Sequence, residues 1–322
     1  MNLSFIWRSF LAKPLRIFFV TDIHGSNTCF RKYLNALKIY NVDVGILMGD
    51  LTGKVLIPLV EKEGGWETSL LGHHTFVNTE EELVQLKKTI EMMGYYWVHQ
   101  TSEEFQAYKA VPKKVDELFK QKMLERLGEW MTLADERLLD SGHTVYMAPG
   151  NDDHHEMDKI IDGSSAIVNC NNKNISIGDH EMITCSWSNP TPWNTPREKP
   201  DDELELMLGE LVATVRDYPN ALFNFHVPPY GSSLDLAPEL TKDLIQAADR
   251  KIHVGSHAVA KMIEKYQPLL GLHGHIHESR GAQKIKRTLV INPGSEYSEG
   301  ILKGVVIALG KNKVEDYIFT SG

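Results

Sequence analysis

Short apolar runs of strand length recur along the chain, and they constrain its fold more than any other feature of the sequence. Helical patterns lie between most of these runs, so an α/β architecture is predicted, with sheets that are buried on both faces. At 322 residues, 42% of them hydrophobic, the chain can bury a substantial core. The predicted strands are RIFFV (16–20), VDVGILM (42–48), TVYMA (144–148), MITCSW (182–187), ALFNF (221–225), PLLGL (268–272), TLVI (288–291) and GVVIAL (304–309).

Residues 54–111 interrupt this alternation and are predicted to form an inserted accessory element. The runs KVLIPLV and WETSLLGHHTFV flank the turn-like stretch EKEGG, a pattern typical of a hairpin. Two capping-box patterns follow, each of which opens a helix: Thr79 with Glu82, and Thr101 with Glu104. A long helix is predicted from Pro112 to Gly142, since proline suits the first helical turn. The accessory element is expected either to narrow the mouth of the functional site or to make a dimer contact.

The N-terminal region predicts a short amphipathic helix from Phe5 to Lys13, ahead of the first strand. Packing on its own domain, a dimer contact and a role at a membrane surface are all compatible with this helix. Charged residues and a proline break the apolar character of the region before an export signal can form. No apolar run approaches the ~20 residues that a membrane span requires.

Charge and cysteine content bear on the class of function and on the setting. The net charge of -9 at pH 7 argues against a broad nucleic-acid surface, which would need many lysines and arginines to displace counterions. The three cysteines lack CxxC spacing, so neither a disulfide framework nor a thiolate metal site is expected. A reducing, cytoplasmic setting is therefore predicted.

Polar clusters directly follow five of the apolar runs, and they read DIH, GD, GND, FHVPP and GHIH. The carboxyl ends of strands form the ligand-binding crevice of open α/β sheets, so these clusters are expected to converge on one site. Their donors are Asp22, His24, Asp50, Asn151, His226, His275 and His277. Such a set is too large for one catalytic zinc but suits two divalent cations that share a carboxylate, and Mn, Fe, Zn and Ni all fit oxygen and nitrogen donors.

The order of these motifs from residue 22 to residue 277 resembles that of the calcineurin-like metallophosphoesterases. The resemblance implies a single domain over residues 1–322, built as a four-layer αββα sandwich of two mixed β-sheets. It assigns a first metal ion to Asp22, His24, Asp50 and His277. It assigns a second metal ion to Asp50, Asn151, His226 and His275, so Asp50 bridges the two.

The same resemblance implies a hydrolase that acts on a phosphomonoester or phosphodiester of a small molecule or nucleotide. A hydroxide between two cations is a nucleophile at neutral pH, and the cations also neutralise the charge of an in-line displacement. The implied catalytic residues are Asp50, Asn151, Asp152 and His226. The alternative is a non-catalytic scaffold of the same fold that binds another protein through the inserted element. Loss of ligands is expected in such a scaffold, whereas the whole donor set is present.

Asp152 departs from the family pattern, which usually has a histidine here that contacts phosphate and protonates the leaving group. An aspartate close to two cations should be ionised at neutral pH and hold no proton to donate. We therefore expect aryl esters and other good leaving groups to be cleaved, and simple alkyl phosphomonoesters to react poorly. Two alternatives stay open. Asp152 or Asp153 caps a helix that begins at His154, or His154 or His155 replaces the missing acid.

Arg197 and His257 are predicted to contact substrate. Arg197 lies in the loop SWSNPTPWNTPREKP (186–200), which either lines a substrate pocket, with Arg197 as a phosphate or carboxylate clamp, or is a surface connection. His257 lies at the start of a predicted helix in VGSHAV (254–259), where backbone N–H groups can receive an anion and the histidine can face the site. A plain helix cap with an exposed histidine is the alternative.

Overall fold

The computed structural model describes residues 13–241 and 246–322, which contain eighteen strands and seven α-helices. The strands are β1 (Leu15–Thr21), β2 (Val44–Met48), β3 (Leu56–Lys62), β4 (Gly65–Leu70), β5 (His73–Val77), β6 (Tyr96–Gln100), β7 (Thr144–Ala148), β8 (Ile167–Asn169), β9 (Asn174–Ile177), β10 (His180–Cys185), β11 (Leu222–Phe225), β12 (Leu236–Leu240), β13 (Gln246–His253), β14 (Leu270–Leu272), β15 (Gly281–Ile285), β16 (Thr288–Asn292), β17 (Lys303–Gly310) and β18 (Lys313–Ser321). The helices are α1 (Asn27–Ile39), α2 (Glu80–Met92), α3 (Ser102–Lys109), α4 (Pro112–Leu138), α5 (Met157–Asp162), α6 (Asp201–Val212) and α7 (His257–Tyr266). Each of the strands predicted from the apolar runs is present.

Two six-stranded sheets form the centre of the fold, and both are mixed. The first has the order β18-β17-β1-β2-β7-β8, with β1, β2, β7 and β8 parallel and β17 antiparallel to both of its neighbours. The second has the order β15-β16-β14-β11-β10-β9, with four parallel strands between antiparallel edge strands. Within each sheet, the carboxyl ends of the parallel strands open at one edge.

The two sheets pack face to face, and helices cover their outer faces. Strand β1 illustrates the layering, because Ile17 and Phe19 belong to the core between the sheets, whereas Phe18 and Val20 belong to the core shared with α1 and α4. Each of these side chains is at most 1% exposed, and full burial of such a side chain stabilises the fold by roughly 1.5–3 kcal/mol. Helices α6 and α7 cover the second sheet in the same way. The predicted αββα fold class is confirmed.

Residues 56–100 form a separate four-stranded sheet in the order β5-β4-β3-β6. Strands β3 and β4 make the predicted hairpin, in which Lys62 pairs with Gly65. The second apolar run is split into β4 and β5, because Leu71 and Gly72 both have positive φ angles and turn the chain. Strand β6 was not predicted, and it pairs in parallel with β3. That residues 54–111 are an insertion with an accessory role stays a prediction.

The capping signals lie where the sequence indicates them. The Thr79 side chain accepts a hydrogen bond from the Glu82 N–H at the start of α2. A complete capping box between Thr101 and Glu104 starts α3. Pro112 occupies the first turn of α4, which is 27 residues long. These helices therefore begin at residues whose side chains or fixed φ angles favour a helix start.

The amphipathic helix predicted from Phe5 to Lys13 lies outside the described residues, apart from Lys13 itself. Among the helices of residues 13–241 and 246–322, none is long and apolar enough to cross a membrane.

Candidate metal centre

The ends of five parallel strands bring the predicted metal ligands to one place. Asp22 and His24 follow β1, Asp50 follows β2, Asn151 follows β7, His226 follows β11, and His275 and His277 follow β14. Strands β1, β2 and β7 are neighbours in the first sheet, and β11 and β14 are neighbours in the second. The crevice outside the carboxyl ends of both sheets therefore contains all of these donors, which together are called the metal cluster below.

The ligand atoms of the metal cluster fall into two groups that share Asp50. The first group consists of Asp22, His24, Asp50 and His277, and the second consists of Asp50, His226 and His275. Within each group, one ligand atom from every residue lies within 4.8 Å of the others. The amide of Asn151 extends the second group, because its Oδ1 lies 3.0 Å from His226 Nε2 and 2.7 Å from His275 Nδ1.

Several buried polar atoms of the cluster face one another without an ordinary partner. Asp22 is 1% exposed, and its Oδ1 makes no hydrogen bond although it lies 3.6 Å from His277 Nε2. The Nε2 atoms of His24 and His277 are 3.0 Å apart. An unpaired carboxylate oxygen is costly in a buried site, and a bound cation would satisfy it together with both imidazole nitrogens. The donor set and its burial therefore fit divalent metal ions.

Four residues of the metal cluster have a backbone conformation that non-glycine residues rarely adopt. The φ angles of Asp22, His24, Asp50 and His275 are 54°, 37°, 36° and 66°. Such a conformation costs on the order of 1–3 kcal/mol per residue and persists only where the surrounding structure fixes it, as at functional sites. Backbone hydrogen bonds between the loops help to fix it, since the His24 N–H donates to the Asp50 carbonyl at 2.9 Å.

Gly49 of the GD motif allows the two sheets to approach each other at the cluster. A Cβ atom at this position would lie 2.0 Å from His226 Nδ1, and the φ angle of Gly49 is 80°. Any other residue would therefore push His226 away from Asp50, whose Oδ1 lies 3.3 Å from His226 Nε2. The motif glycine is explained by this close contact and by its left-handed backbone.

The segment around β6 packs against the loops of the metal cluster. The Gly53 N–H donates to the Tyr96 hydroxyl at 2.8 Å, and the Ser26 hydroxyl donates to the Met92 carbonyl at 2.6 Å. A Cβ atom on Gly53 would lie 1.8 Å from the Gly94 carbonyl oxygen, so only glycine allows this contact. Residues 92–96 therefore support the loops that carry His24 and Asp50, a role that the sequence did not reveal.

The two buried carboxylates of the cluster make the site attractive to cations. Burial raises the pKa of Asp22, but His226 and His277 outweigh it and hold that pKa well below its usual value. Burial lowers the pKa of His226, but Asp50 and Asp22 outweigh it and raise that pKa to about 9. Burial and the neighbouring His226 lower the pKa of His275 to about 3, so His275 is neutral at pH 7 and able to bind a metal ion.

Asp153 holds the loops of the metal cluster together. It is 0% exposed, and its carboxylate accepts hydrogen bonds from the Leu51 N–H, the Thr52 N–H, the Thr52 hydroxyl and the Gly150 N–H at 2.7–2.9 Å. The loop that follows β2 is thereby joined to the loop that follows β7. A carboxylate with so many donors is both satisfied and costly to remove.

The structure corrects one of the two alternatives proposed for residues 152–155, the helix cap. Helix α5 begins at Met157 and not at His154, and neither Asp152 nor Asp153 caps it. His155 packs its ring against Trp187, with the ring centroids 5.7 Å apart. Neither His154 nor His155 is among the described residues that line the cleft at the metal cluster. That one of these histidines replaces the missing acid stays a prediction.

Asp152 forms an ion pair with Lys54 beside the metal cluster. Its Oδ2 lies 2.7 Å from Lys54 Nζ, and its backbone N–H donates to Asp50 Oδ1 at 3.0 Å. Burial and the Asp50 carboxylate raise the pKa of Asp152, while Lys54 acts in the opposite direction. Burial lowers the pKa of Lys54, but Asp152 and Asp50 outweigh it and raise that pKa above its usual value. The sequence did not single out Lys54, which follows the GD motif by four residues.

A short chain of hydrogen bonds orients the Asn151 amide. Asn151 Nδ2 donates to Thr195 Oγ1 at 2.8 Å, and the Thr195 hydroxyl donates to Glu198 Oε1 at 2.6 Å. With its nitrogen engaged by Thr195, the amide turns its oxygen toward His226 and His275. Partners behind a metal ligand often fix its orientation in this way. Nothing in the sequence indicated that Thr195 contacts Asn151.

The prediction that Arg197 clamps substrate is wrong, because its guanidinium is engaged by the protein. Arg197 is 2% exposed, and its Nε donates to the Asp153 carbonyl at 2.7 Å. Its Nη2 donates to the His154 carbonyl and to Asp158 Oδ2. Arg197 therefore ties the loop of residues 186–200 to the loop that follows β7.

His257 is at the start of α7, as predicted, but it does not face the metal cluster. Its side chain is exposed and stacks on Tyr230, with the ring centroids 3.8 Å apart. The N-terminus of α7 already holds an anion, because the Asp201 carboxylate accepts from the N–H groups of His257 and Ala258. Of the two interpretations, the helix cap with an exposed histidine is the one that the structure has.

A cleft of about 580 Å³ lies over the metal cluster. Asp50, Lys54, Asn151, Asp152 and His275 are among the residues that line it. Residues 189–193, called the aromatic loop below, and the hairpin of β12 and β13 line it as well. Within the described part of segment 54–111, Lys54 is the residue that reaches the cleft. The loop of residues 186–200 thus lines a pocket through its prolines and Trp193 and not through Arg197.

Comparison with known proteins finds a relative of appreciable sequence identity. No protein-family model matches the chain. The chain is similar to the uncharacterized protein MJ1162 of Methanocaldococcus jannaschii, with 34% identity over 151 residues. The match covers 46% of this chain and 63% of that protein, so it spans less than two thirds of the relative.

Solved structures align over nearly the whole chain. One crystal structure aligns with 94% of this chain and 98% of its own, at 14% identity and a TM-score of 0.59. The crystal structure of TT1561 of Thermus thermophilus aligns with 96% of this chain and 98% of its own, at 15% identity and a TM-score of 0.53. A dimetal phosphatase from Danio rerio aligns with 96% of both chains, at 9% identity and a TM-score of 0.44. At these identities, the first two structures establish a shared fold.

Proposed function

We propose that this chain is a calcineurin-like metallophosphoesterase, a metal-dependent hydrolase of phosphoric esters of small molecules or nucleotides. The observation that carries the proposal is the sharing of Asp50 between two groups of ligand residues, most of which are buried. Two such groups joined by one carboxylate are typical of sites in which two divalent ions act on one phosphoryl group.

The ligands are proposed to be those of the metal cluster. Asp22, His24, Asp50 and His277 would hold one ion, and Asp50, Asn151, His226 and His275 would hold the other. When bound, the two ions would supply positive charge to phosphoryl oxygens and lower the pKa of a water molecule. Mn, Fe, Zn and Ni each fit these donors, and manganese is the ion with which we propose to begin.

The reaction is the addition of water across a phosphoester bond. A new P–O bond forms to the water oxygen, the P–O bond to the alcohol breaks, and the alcohol leaves with a proton. The carboxylate of Asp50 and the amide of Asn151, which Thr195 orients, would hold the cations that neutralise the charge of the phosphoryl group. His226, held against Gly49, is proposed to act with them.

Asp152 is proposed to take the place of the histidine found in the family pattern. Its Oδ2 lies 2.7 Å from the Lys54 ammonium in an ion pair, so the pair presents a cation at the cleft and no imidazolium. A site without a positioned acid loses about 10²- to 10⁴-fold on reactions whose leaving oxygen needs a proton. We therefore propose that aryl esters react well and simple alkyl phosphomonoesters poorly.

The test is hydrolysis of a chromogenic bis-aryl phosphate by the purified protein with manganese, with and without a chelator. Metal-dependent hydrolysis is expected. Anomalous scattering from crystals grown with manganese should show two ions about 3.5–4 Å apart, as is usual for such sites. A single ion with Asp50 unligated, or no hydrolysis with any of the four metals, would contradict the proposal and favour the non-catalytic scaffold.

The setting and the assembly are proposed as well. The three cysteines are buried and unpaired, which agrees with a reducing, cytoplasmic setting. A dimer contact through residues 54–111 stays a prediction, and sedimentation of the full chain would test it.

A further inference from the structure

Two chemically different sets of residues line the cleft over the metal cluster. One set consists of residues of the cluster, Asp152 and the Lys54 ammonium, and it suits a phosphoryl group. The other set comes from the aromatic loop and the β12–β13 hairpin, and it is mainly apolar: Pro190, Pro192, Trp193, Leu240 and Ile252. A volume of about 580 Å³ holds a molecule larger than a phosphate ion. The cleft therefore has room for the alcohol part of an ester.

Trp193 is the most exposed large aromatic side chain of the cleft. It is 63% exposed, whereas Leu240 and Ile252 of the same cleft are half-buried and Ile276 is buried. Its backbone N–H donates to Thr191 Oγ1 at 3.2 Å, which holds the residue at this point of the aromatic loop. An indole ring that lies open on the wall of a ligand cleft offers a flat apolar face to a bound group.

The aromatic loop is held rigidly, so Trp193 is presented in a fixed position. Glu198 accepts hydrogen bonds from the N–H and hydroxyl of Thr191 and from the N–H and hydroxyl of Thr195, at 2.6–3.0 Å. Two prolines precede the tryptophan in the loop and restrict the backbone further. A preformed aromatic wall costs little ordering when a ligand binds.

From these observations we infer that the cleft selects phosphate esters whose alcohol part carries a flat aromatic ring, and that this ring stacks on Trp193. The inference rests on the proposed function for the position of the phosphoryl group. Aryl alcohols and nucleosides share the required chemistry, since both present a flat π-face. This preference concerns binding, and it is distinct from the preference for good leaving groups expected at Asp152.

The two preferences are separated by placing the ring away from the reacting oxygen. A 2-phenylethyl group has an alkyl leaving oxygen and a distant ring, and a 2-cyclohexylethyl group has similar bulk but no flat face. Binding of their non-hydrolysable phosphonates to manganese-loaded protein is measured by calorimetry. The phenyl ligand should bind about 3- to 10-fold more tightly than the cyclohexyl ligand. In the Trp193→Ala variant the ratio should fall toward one, and in Trp193→Phe most of it should be retained.

Phe76→Ala is the matched control, because Phe76 is 53% exposed on β5 and does not line the cleft. It should leave the ratio of affinities unchanged. Equal affinity of the two phosphonates, a ratio that survives Trp193→Ala, or no binding of either ligand would overturn the inference. A protein that binds the phenyl ligand through Trp193 but hydrolyses no ester would refute the proposed function alone. Nucleoside phosphonates, run in parallel with the phenyl ligand, distinguish the two sources of the ring.

Discussion

The metal cluster and the aromatic loop lie in the same cleft but are held in place by different kinds of hydrogen bond. Residues of the cluster follow registered strands in two sheets, and backbone hydrogen bonds such as that from His24 to Asp50 fix their unusual φ angles. The aromatic loop is fixed by side chains, chiefly by the carboxylate of Glu198, which accepts from the N–H and the hydroxyl of Thr191. A single substitution in the cluster should therefore alter metal binding and hydrolysis but leave the backbone conformation unchanged. A single substitution near the loop should alter the loop conformation but leave the metal ligands in place.

The largest effect is expected for Asp50→Asn. This variant tests whether removal of one negative charge abolishes function while the conformation of the cluster is kept. Asparagine keeps the size of the side chain but removes the negative charge that both ligand groups share. Hydrolysis should fall by more than about 10³-fold, and bound metal measured by mass spectrometry should decrease at both sites. Unfolding should stay cooperative. Activity within about tenfold of wild type would contradict the shared role of Asp50.

Asp153→Ala should have the next largest effect, and here the effect is on stability. The substitution leaves buried N–H and hydroxyl donors of two loops unpaired. The free energy of unfolding should decrease by about 3–5 kcal/mol, measured by denaturant titration. Asp162→Ala is the control, since this carboxylate is half-exposed and its ion pair with Lys173 is worth at most about 1 kcal/mol. Equal losses in the two variants would show that the loops are held by something else.

Asp152→His should sharpen the comparison by giving the cluster an acid. The ratio of alkyl to aryl phosphomonoester hydrolysis should rise by up to about 10²-fold, because only the alkyl oxygen needs the proton. Asp152→Asn, which also removes the carboxylate but adds no acid, should not raise the ratio. The opposite outcome would contradict this prediction. If wild type hydrolyses both classes comparably and the double variant His154→Ala with His155→Ala loses the alkyl reaction, one of these histidines is the acid.

The smallest effect is expected for Thr195, whose hydroxyl links the loop of residues 186–200 to Asn151 of the cluster. Thr195→Val removes the hydroxyl that engages Asn151 Nδ2, and the affinity of the second metal site should fall by about tenfold. Thr191→Val is the matched control, because Thr191 also bonds to Glu198 but does not contact Asn151. Metal titrations monitored by calorimetry separate the two variants. Identical titrations for both would mean that Thr195 does not orient the amide.

The sequence predicted most where function follows strand ends, and least where it depends on side chains from distant loops. Polar residues directly after apolar runs were sufficient to bring His226 and Asp50 together, because parallel strands in neighbouring positions end at the same edge. Arg197 was misjudged, since a lone arginine in a loop gives no sign of whether carbonyls of another loop will accept its hydrogen bonds. Lys54 was missed because its partner, the carboxylate of Asp152, is far away in sequence.

Strand β6 was missed on different grounds. Its residues Tyr96–Gln100 lie between two strongly capped helices and form no alternating pattern of their own. Its pairing with β3 depends on a contact between residues far apart in sequence, which local propensity does not encode. The close approach of Gly94 to Gly53 was hidden too, because a glycine needed for space looks like any other glycine in sequence.

The left-handed backbone of Asp22, His24, Asp50 and His275 has a consequence for how metal ions are captured. Ligands on flexible loops would have to be ordered when the ion arrives, and that entropy would weaken binding. Here the ordering is completed during folding, when the strands of both sheets register and force these residues into an unfavourable conformation. The metal-free protein is thus preorganised: some conformational stability is given up so that capture of an ion requires little rearrangement.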